Sequence, residues 1–177
     1  MKEFNILSLG AGVQSSTVAM LSVEGIIPKY DAWVFADTGW EPQEVYDQLS
    51  WLKEKAEEIG TAFYSTMKAD VREFSKLRDK RAPSIPVYTR NRETGKVGIL
   101  RRQCTAELKI FPVEKVIREK IIGVKPRKWV PKDTHVNISL GISTDEMQRV
   151  SKSRHKWATH KYPLLELKWD REKCLTW

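Results

Sequence analysis

Phe4-Asn5-Ile6-Leu7-Ser8-Leu9-Gly10-Ala11-Gly12-Val13-Gln14-Ser15-Ser16 decides the reading of this chain. Its first six residues predict a short, largely buried strand, and Gly10 to Gln14 a turn. Ser15 to Glu24 then predicts a helix with Val18, Met20 and Leu21 toward one face and Gly25 just past its end. The order repeats. Asp31-Ala32-Trp33-Val34-Phe35-Ala36 predicts a second strand, with Asp37-Thr38-Gly39 as its exit turn. Pro42 opens a helix that runs through Val45, Leu49, Leu52 and Ala56 to a stop at Gly60. Thr61 to Ser65 predicts a third strand. Strand–helix–strand–helix–strand at this spacing predicts parallel strands joined by right-handed crossovers. The expected fold class is α/β, with a doubly wound, mainly parallel, Rossmann-like sheet.

The rhythm breaks at about residue 78. Arg78 to Arg102 carries eight basic and two acidic residues, is punctuated by Pro83, Pro86 and Gly95, and shows little periodicity. A long basic loop inside a compact domain is usually functional or mobile. Helix resumes at about Thr105, with Pro112 near a turn boundary and Val113, Val116, Ile117 and Ile121 as an apolar stripe. Lys125 to Asp133 is again basic and punctuated by proline. Val136 to Ile142 predicts a fourth strand, and Thr144 to Val150 a short helix at its exit. Tyr162-Pro163-Leu164-Leu165 is ambiguous. Asp170 reads as the N-cap of a last helix opening with Arg171. Residues 1–177 therefore read as a single domain with a basic loop at about 78–104 and a basic C-terminal segment at about 149–177. So short a terminal helix is marginal on its own, which leaves three readings open: a reading frame that continues, a partner that completes the fold, or an ordinary frayed end.

Composition narrows the class. The chain has 177 residues, 41% apolar and 31% charged, a mix that fits one soluble globular domain and is too apolar for disorder. No apolar run approaches the roughly 20 residues of a membrane span, and the start has no signal-peptide architecture. Two cysteines 70 positions apart point to a reducing compartment, and the expected location is cytoplasmic. Lys plus Arg outnumber Asp plus Glu by 31 to 23, a net charge of +8 that favours anionic partners such as nucleotides, phosphate or sulfate esters and nucleic acid. A basic surface that only aids solubility is the alternative.

Four stretches carry candidate chemistry. The turn from Ser8 to Ser16 joins a buried strand to a helix N-terminus. Small residues admit a ligand close to the backbone, free amides and the helix dipole favour an anion, and Ser15 and Ser16 add hydroxyls. It lacks the third glycine of a dinucleotide fingerprint and the lysine of a Walker loop. A tight β–α turn capped by serine is the other reading. Asp37-Thr38-Gly39 leaves the second strand at the same sheet edge, where Asp37 suits ribose hydroxyls or a metal, or else an Asx turn with Gly39. Arg101-Arg102-Gln103-Cys104-Thr105, with Lys109 about one turn on, sets two anion-gripping forks before a cysteine at a helix start. Cys104 there is expected to have a depressed pKa, as nucleophile or cluster ligand, or else to be a small buried residue. Gly141 to Glu146 exits the fourth strand at that same edge. Arg149, Lys152, Arg154, Lys156 and Lys161 follow with His155 and Trp157 among them, a mixture that fits phosphate and base contacts or else a solvated basic face. His135, His155 and His160 have no metal-ligand spacing, and there is no Cys-x-x-Cys and no Gly-x-Ser-x-Gly elbow.

Together these motifs resemble the phosphoadenosine phosphosulfate reductase family, of phage or prophage type, within the PP-loop superfamily of adenine-nucleotide α-hydrolases. Gly10-Ala11-Gly12-Val13-Gln14-Ser15-Ser16 resembles the family's Ser-x-Gly-x-Asp-Ser loop, and Phe35-Ala36-Asp37-Thr38-Gly39 its Val-Asp-Thr-Gly. Arg102-Gln103-Cys104-Thr105 with Lys109 and Pro112 resembles its Cys–Lys–Pro segment. Gly141-Ile142-Ser143-Thr144-Asp145-Glu146 with Arg149 resembles its Gly-x-Arg-x-Asp-Glu.

The resemblance implies that Ser8 and the amides of Gly10, Ala11, Gly12, Val13 and Gln14, with Ser15 and Ser16, meet the phosphates of ATP or a related adenylyl nucleotide, with magnesium. Ala36, Asp37, Thr38 and Gly39 would meet the adenosine. Arg101, Arg102, Lys109 and Arg149, with Gly141 beside them, would line the phosphate or sulfate pocket. Ser15, Asp37, Cys104 and Lys109 would stand nearest the chemistry. The expected activity is an adenylylating ATP pyrophosphatase, with a 3′-phosphoadenylyl-sulfate reductase or a non-catalytic nucleotide or nucleic-acid binding module as alternatives. Expected partners are an adenine nucleotide, nucleic acid along the basic segments and a second copy of the chain, but no membrane. Three departures stand out. Gln14 replaces an acidic residue, Ser143 replaces an arginine, and the C-terminal reductase motif is missing. Cys104 and Cys174 would serve as iron–sulfur ligands only if further cysteines followed.

Overall fold

The computed structural model describes residues 1–67, 88–99 and 105–177. Five strands form one all-parallel sheet: β1 (Lys2–Leu9), β2 (Ala32–Asp37), β3 (Ala62–Met67), β6 (Thr134–Leu140) and β7 (Ala158–Lys161), in the order β3-β2-β1-β6-β7. A separate antiparallel hairpin, β4 (Tyr88–Arg90) with β5 (Val97–Ile99), lies within the basic loop. The fold is therefore α/β with a doubly wound, Rossmann-like parallel sheet.

Both faces of the central strands are buried, which is why they read as continuous apolar runs. Leu7, Leu9, Trp33 and Phe35 face α1 (Val13–Val23) and α2 (Gln43–Glu58), whose Val18, Leu21, Leu49 and Leu52 complete that core. Ile6, Val34, Val136 and Ile138 face the opposite way, onto Val113, Val116 and Ile117. Those three lie on a continuous helical stretch of π-type turns (Thr105–Ile110), an α-helix α3 (Phe111–Val116) and further π-type turns (Ile117–Ile121). The expected apolar stripe is present. Pro112 is carried inside the helical run, where it has no amide to bond back to Leu108 and the turn type changes.

The later strands depart most from the sequence expectation. Val136 to Ile142 is shifted to Thr134–Leu140, and Ala158–Lys161 is a strand that the pattern does not announce. In β7, at the sheet edge, only Ala158 is buried; the next inward position holds the half-buried His160, so the burial alternates without an apolar alternation in the sequence. The β4–β5 hairpin is likewise unannounced. Asn91 closes it by accepting the amides of Glu93 and Thr94.

The C-terminal segment packs against the first crossover. Helix α4 (Pro163–Glu166) buries Leu164, and α5 (Arg171–Thr176) buries Cys174 against the α1 side of the core. Asp170 caps α5 as expected, its carboxylate accepting the Lys173 amide at 2.7 Å. Asp170→Ala should cost about 1 kcal/mol, read by urea unfolding. It should also speed alkylation of Cys174, whose thiol is buried and pushed up by that burial.

Tyr30 is 5% exposed, and burial pushes its phenol up to about 12. A folded-state pKa above the unfolded one contributes stability below the unfolded value and loses it as pH rises through the folded one. Stability should therefore fall by about 2 kcal/mol between pH 10 and 12, and Tyr30→Phe should remove this alkaline limb in urea titrations run across that range.

Candidate functional site

The strand order reverses beside β1: the chain first adds β2 and β3 on one side, then returns to add β6 and β7 on the other. Crossovers leave the sheet in opposite directions at that point, the position at which open α/β sheets commonly take their ligands. The first two candidate segments, the start of the fourth and Lys109 of the third converge on this carboxyl edge.

The first wall is the β1–α1 turn. Gly10 and Gly12 are exposed, and Ala11 sits at φ 52°, a left-handed conformation that a side chain rarely adopts. Gly12 is the N-cap of α1 in extended conformation and offers no side chain of its own. The amides of Val13, Gln14 and Ser15 lie in the first helical turn, where geometry denies them an intrahelical acceptor. The side chains here are engaged within the protein. Ser15 Oγ accepts the Gly10 amide and donates to the Gly12 carbonyl, both at 3.1 Å. Ser16 Oγ accepts from Gln48 Nε2 at 3.0 Å. The hydroxyl of Ser15 thus fixes the shape of the turn, and the backbone is what the turn presents.

The second wall follows β6. Gly141 lies so close to the first that a Cβ on it would stand 2.6 Å from Ser15 Cα and N and 2.9 Å from the Gln14 carbonyl carbon. Ser143 is fully buried. Gln14 Nε2 donates to Ser143 Oγ at 3.4 Å and to Glu146 at 3.3 Å, while its Oε1 accepts from Arg171 at 3.1 Å. The two departures from the resembled pattern, Gln14 and Ser143, are therefore in contact with each other. Arg171, which the sequence marked only as a helix start, reaches the same point from α5. The Ser143 hydroxyl and the neighbouring Arg171 hold the Asp145 carboxyl below its usual range, and Asp145 in turn accepts the Arg171 amide at 3.0 Å. Arg149, on the 3-10 turn Thr144–Arg149, pairs with Glu146 at 2.7 Å.

The third element is the β2 exit. Asp37 Oδ1 accepts the Gly39 amide at 2.7 Å, forming the Asx turn, and the Tyr46 hydroxyl at 3.0 Å. Thr38 donates to Glu41 at 2.8 Å. Lys109, half-exposed on the first π-type turns, comes within 3.9 Å of Glu41, so the third candidate segment does reach this edge. Trp40, 67% exposed, stands on the same loop; nothing in its spacing had marked it. Ser8 lies in β1 just before the turn, and Ala36 is buried at the end of β2. Arg101, Arg102 and Cys104 lie outside the described residues.

The fourth segment is divided. Arg149 stays at the carboxyl edge, but the chain then crosses back, and Arg154, His155, Lys156 and Trp157 precede β7 at the amino edge. Cys174 is a core residue whose carbonyl accepts from Thr17 Oγ1 at 3.4 Å. Burial pushes its thiol up, and among the described residues no group of ligands stands with it for a cluster. Among the described residues no group of three or more His, Cys, Asp or Glu side chains is placed to hold a metal ion, and no helix is long and apolar enough to cross a membrane. No protein-family model matches the chain, and no curated protein is similar to it at a significant level.

Proposed function

We propose that the chain binds an adenine nucleotide at the carboxyl edge of its sheet and acts as an adenylylating ATP pyrophosphatase. The observation that carries this reading is the contact of Gly141 with the backbone of Gln14 and Ser15 at the reversal of strand order. It sets an exposed turn and the amino end of α1 into the wall of one crevice, where open α/β sheets take their ligands. The amides of Val13, Gln14 and Ser15 would hold the phosphates. Trp40, exposed on the neighbouring loop, would meet the base, and Lys109 the leaving pyrophosphate. An acceptor oxygen attacks the α-phosphorus, the bond to the bridging oxygen breaks, and pyrophosphate leaves; stabilising that negative charge is the main task of the site.

Asp37, Glu41 and Glu146 each already accept hydrogen bonds from within the protein, so magnesium fits here as a companion of the nucleotide's phosphates. Bound there, it would neutralise phosphate charge. The related reading, a sulfonucleotide reductase, needs a nucleophilic thiolate. The buried Cys174 does not supply one, which leaves that reading on Cys104 alone.

A second reading, a nucleotide-binding module without turnover, is favoured by one observation: the side chains of Gln14, Ser15, Asp37 and Arg149 all have partners inside the protein. Incubation with magnesium and ATP, read by chromatography for AMP and pyrophosphate, separates the two. AMP formation that is lost in Gly12→Asp supports the enzyme. Binding of ATP without AMP supports the module, and no binding at all sinks both.

A further inference from the structure

At the opposite edge of the sheet, the loop before β6 and the segment before β7 enclose a cavity of about 690 Å³. They meet because β6 and β7 are parallel neighbours, with Val136 beside Ala158, so that both approach segments open on the same edge. The Val136 amide donates to the Trp157 carbonyl at 2.9 Å and fixes the junction. Arg118, from the π-type turns, donates to the Lys128 carbonyl at 2.6 Å and pins the other wall.

The lining is cationic and aromatic. Glu114 occupies Arg154 at 3.1 Å and lies 3.2 Å from His155. Arg127, Lys128, Lys132 and Lys156 line the same cavity and have no carboxylate partner among the described residues. His155 and Trp157 stack at 4.9 Å with their planes 17° apart. Trp129 is 94% exposed, which for the largest apolar side chain is a cost without a return in the isolated protein. The turn Lys125–Lys128 is closed by a 3.1 Å hydrogen bond, with Pro126 at its second position and Arg127 at φ 63° at its third. That third position favours glycine, so an arginine there sits in a strained conformation beside the exposed tryptophan.

We propose that this amino-edge cavity binds single-stranded nucleic acid. These four cations would track phosphates, and Trp129 with the His155–Trp157 stack would offer faces to unpaired bases. A duplex keeps its bases stacked on one another and offers these rings nothing. A membrane surface suits a convex apolar projection better than a concave basic one. The site is independent of the nucleotide crevice, which lies at the other end of the strands.

The test is fluorescence anisotropy of a labelled 20-nucleotide oligothymidylate with the whole chain, titrated at several salt concentrations. Four phosphate contacts predict a log–log slope against salt of about −3. Trp129→Ala should weaken binding about tenfold or more. Arg127→Gly is the decisive variant: it relieves the left-handed strain, so thermal stability should hold or rise while affinity falls several-fold. Gly12→Asp should leave the affinity unchanged, which keeps this site separate from the proposed nucleotide function. Salt-independent or absent binding would overturn the proposal. So would equal affinity for a duplex of the same length, or a Trp129-dependent preference for vesicles with one-third anionic lipid over the oligonucleotide.

Discussion

Gly141→Ala is expected to cost about 3 kcal/mol of stability, near the upper end for one added carbon in a packed site. It should remove most affinity for an adenine nucleotide as well. The new Cβ would meet backbone atoms, Ser15 Cα and N at 2.6 Å and the Gln14 carbonyl carbon at 2.9 Å, and no flexible side chain could yield in their place. Either the first turn of α1 moves outward or the β6 exit moves away. Both break the bond network that Gln14 makes to Ser143, Glu146 and Arg171. Thermal unfolding should show a drop of about 6–12 °C for a chain of this size. An unchanged melting temperature would mean that the two walls of the crevice are not in contact.

Gly12→Asp should give the opposite pattern. Gly12 has φ −91° and ψ 167°, an extended conformation open to any residue, and a Cβ there meets nothing within 4 Å. Aspartate is a favoured N-cap and its charge suits the amino end of a helix, so stability should hold or rise by about 0.5 kcal/mol. Yet the carboxylate would occupy the place proposed for phosphate and repel it, and ATP affinity should fall by about 100-fold, nearly 3 kcal/mol of binding. Isothermal titration beside a melting curve reads both quantities. Undiminished ATP affinity in a stably folded Gly12→Asp protein would remove the phosphates from α1 and the proposed function with them. The two glycines thus test one crevice by different routes, one through the frame and one through the ligand.

The central strands were legible because burial on both faces leaves a run such as Ile6-Leu7, both fully buried, with no polar interruption. Asp170 was legible because an N-cap is a local device spanning three residues. What escaped was non-local. Gln14 finds its partners 129, 132 and 157 positions away, and no spacing within the first turn announces Ser143, Glu146 or Arg171 as neighbours. The serines of the turn showed the same limit. Their residue type suggested hydroxyls for a phosphate, while the structure spends the Ser15 hydroxyl on the turn itself. The basic segments 125–133 and 149–177 could be flagged by charge alone. That the first shares a cavity with residues 154–157 of the second, across one sheet edge, required the parallel pairing of β6 with a strand too polar to be noticed.

The position of β1 also governs how the molecule must be made. It precedes the other four strands of its sheet in the chain, yet it lies in the middle of the finished sheet, and Ile6 pairs with Ile138. On a ribosome adding 5–20 residues per second, that edge of β1 stays unpaired for roughly 4–15 seconds after β2 and β3 can join the other side. During that interval the nascent chain displays an open apolar strand, guarded only by Lys2 and Glu3 at its start. Completion of the sheet therefore waits for β6, and a nascent-chain holdase or a slow codon stretch after β3 is expected to change the yield of native protein.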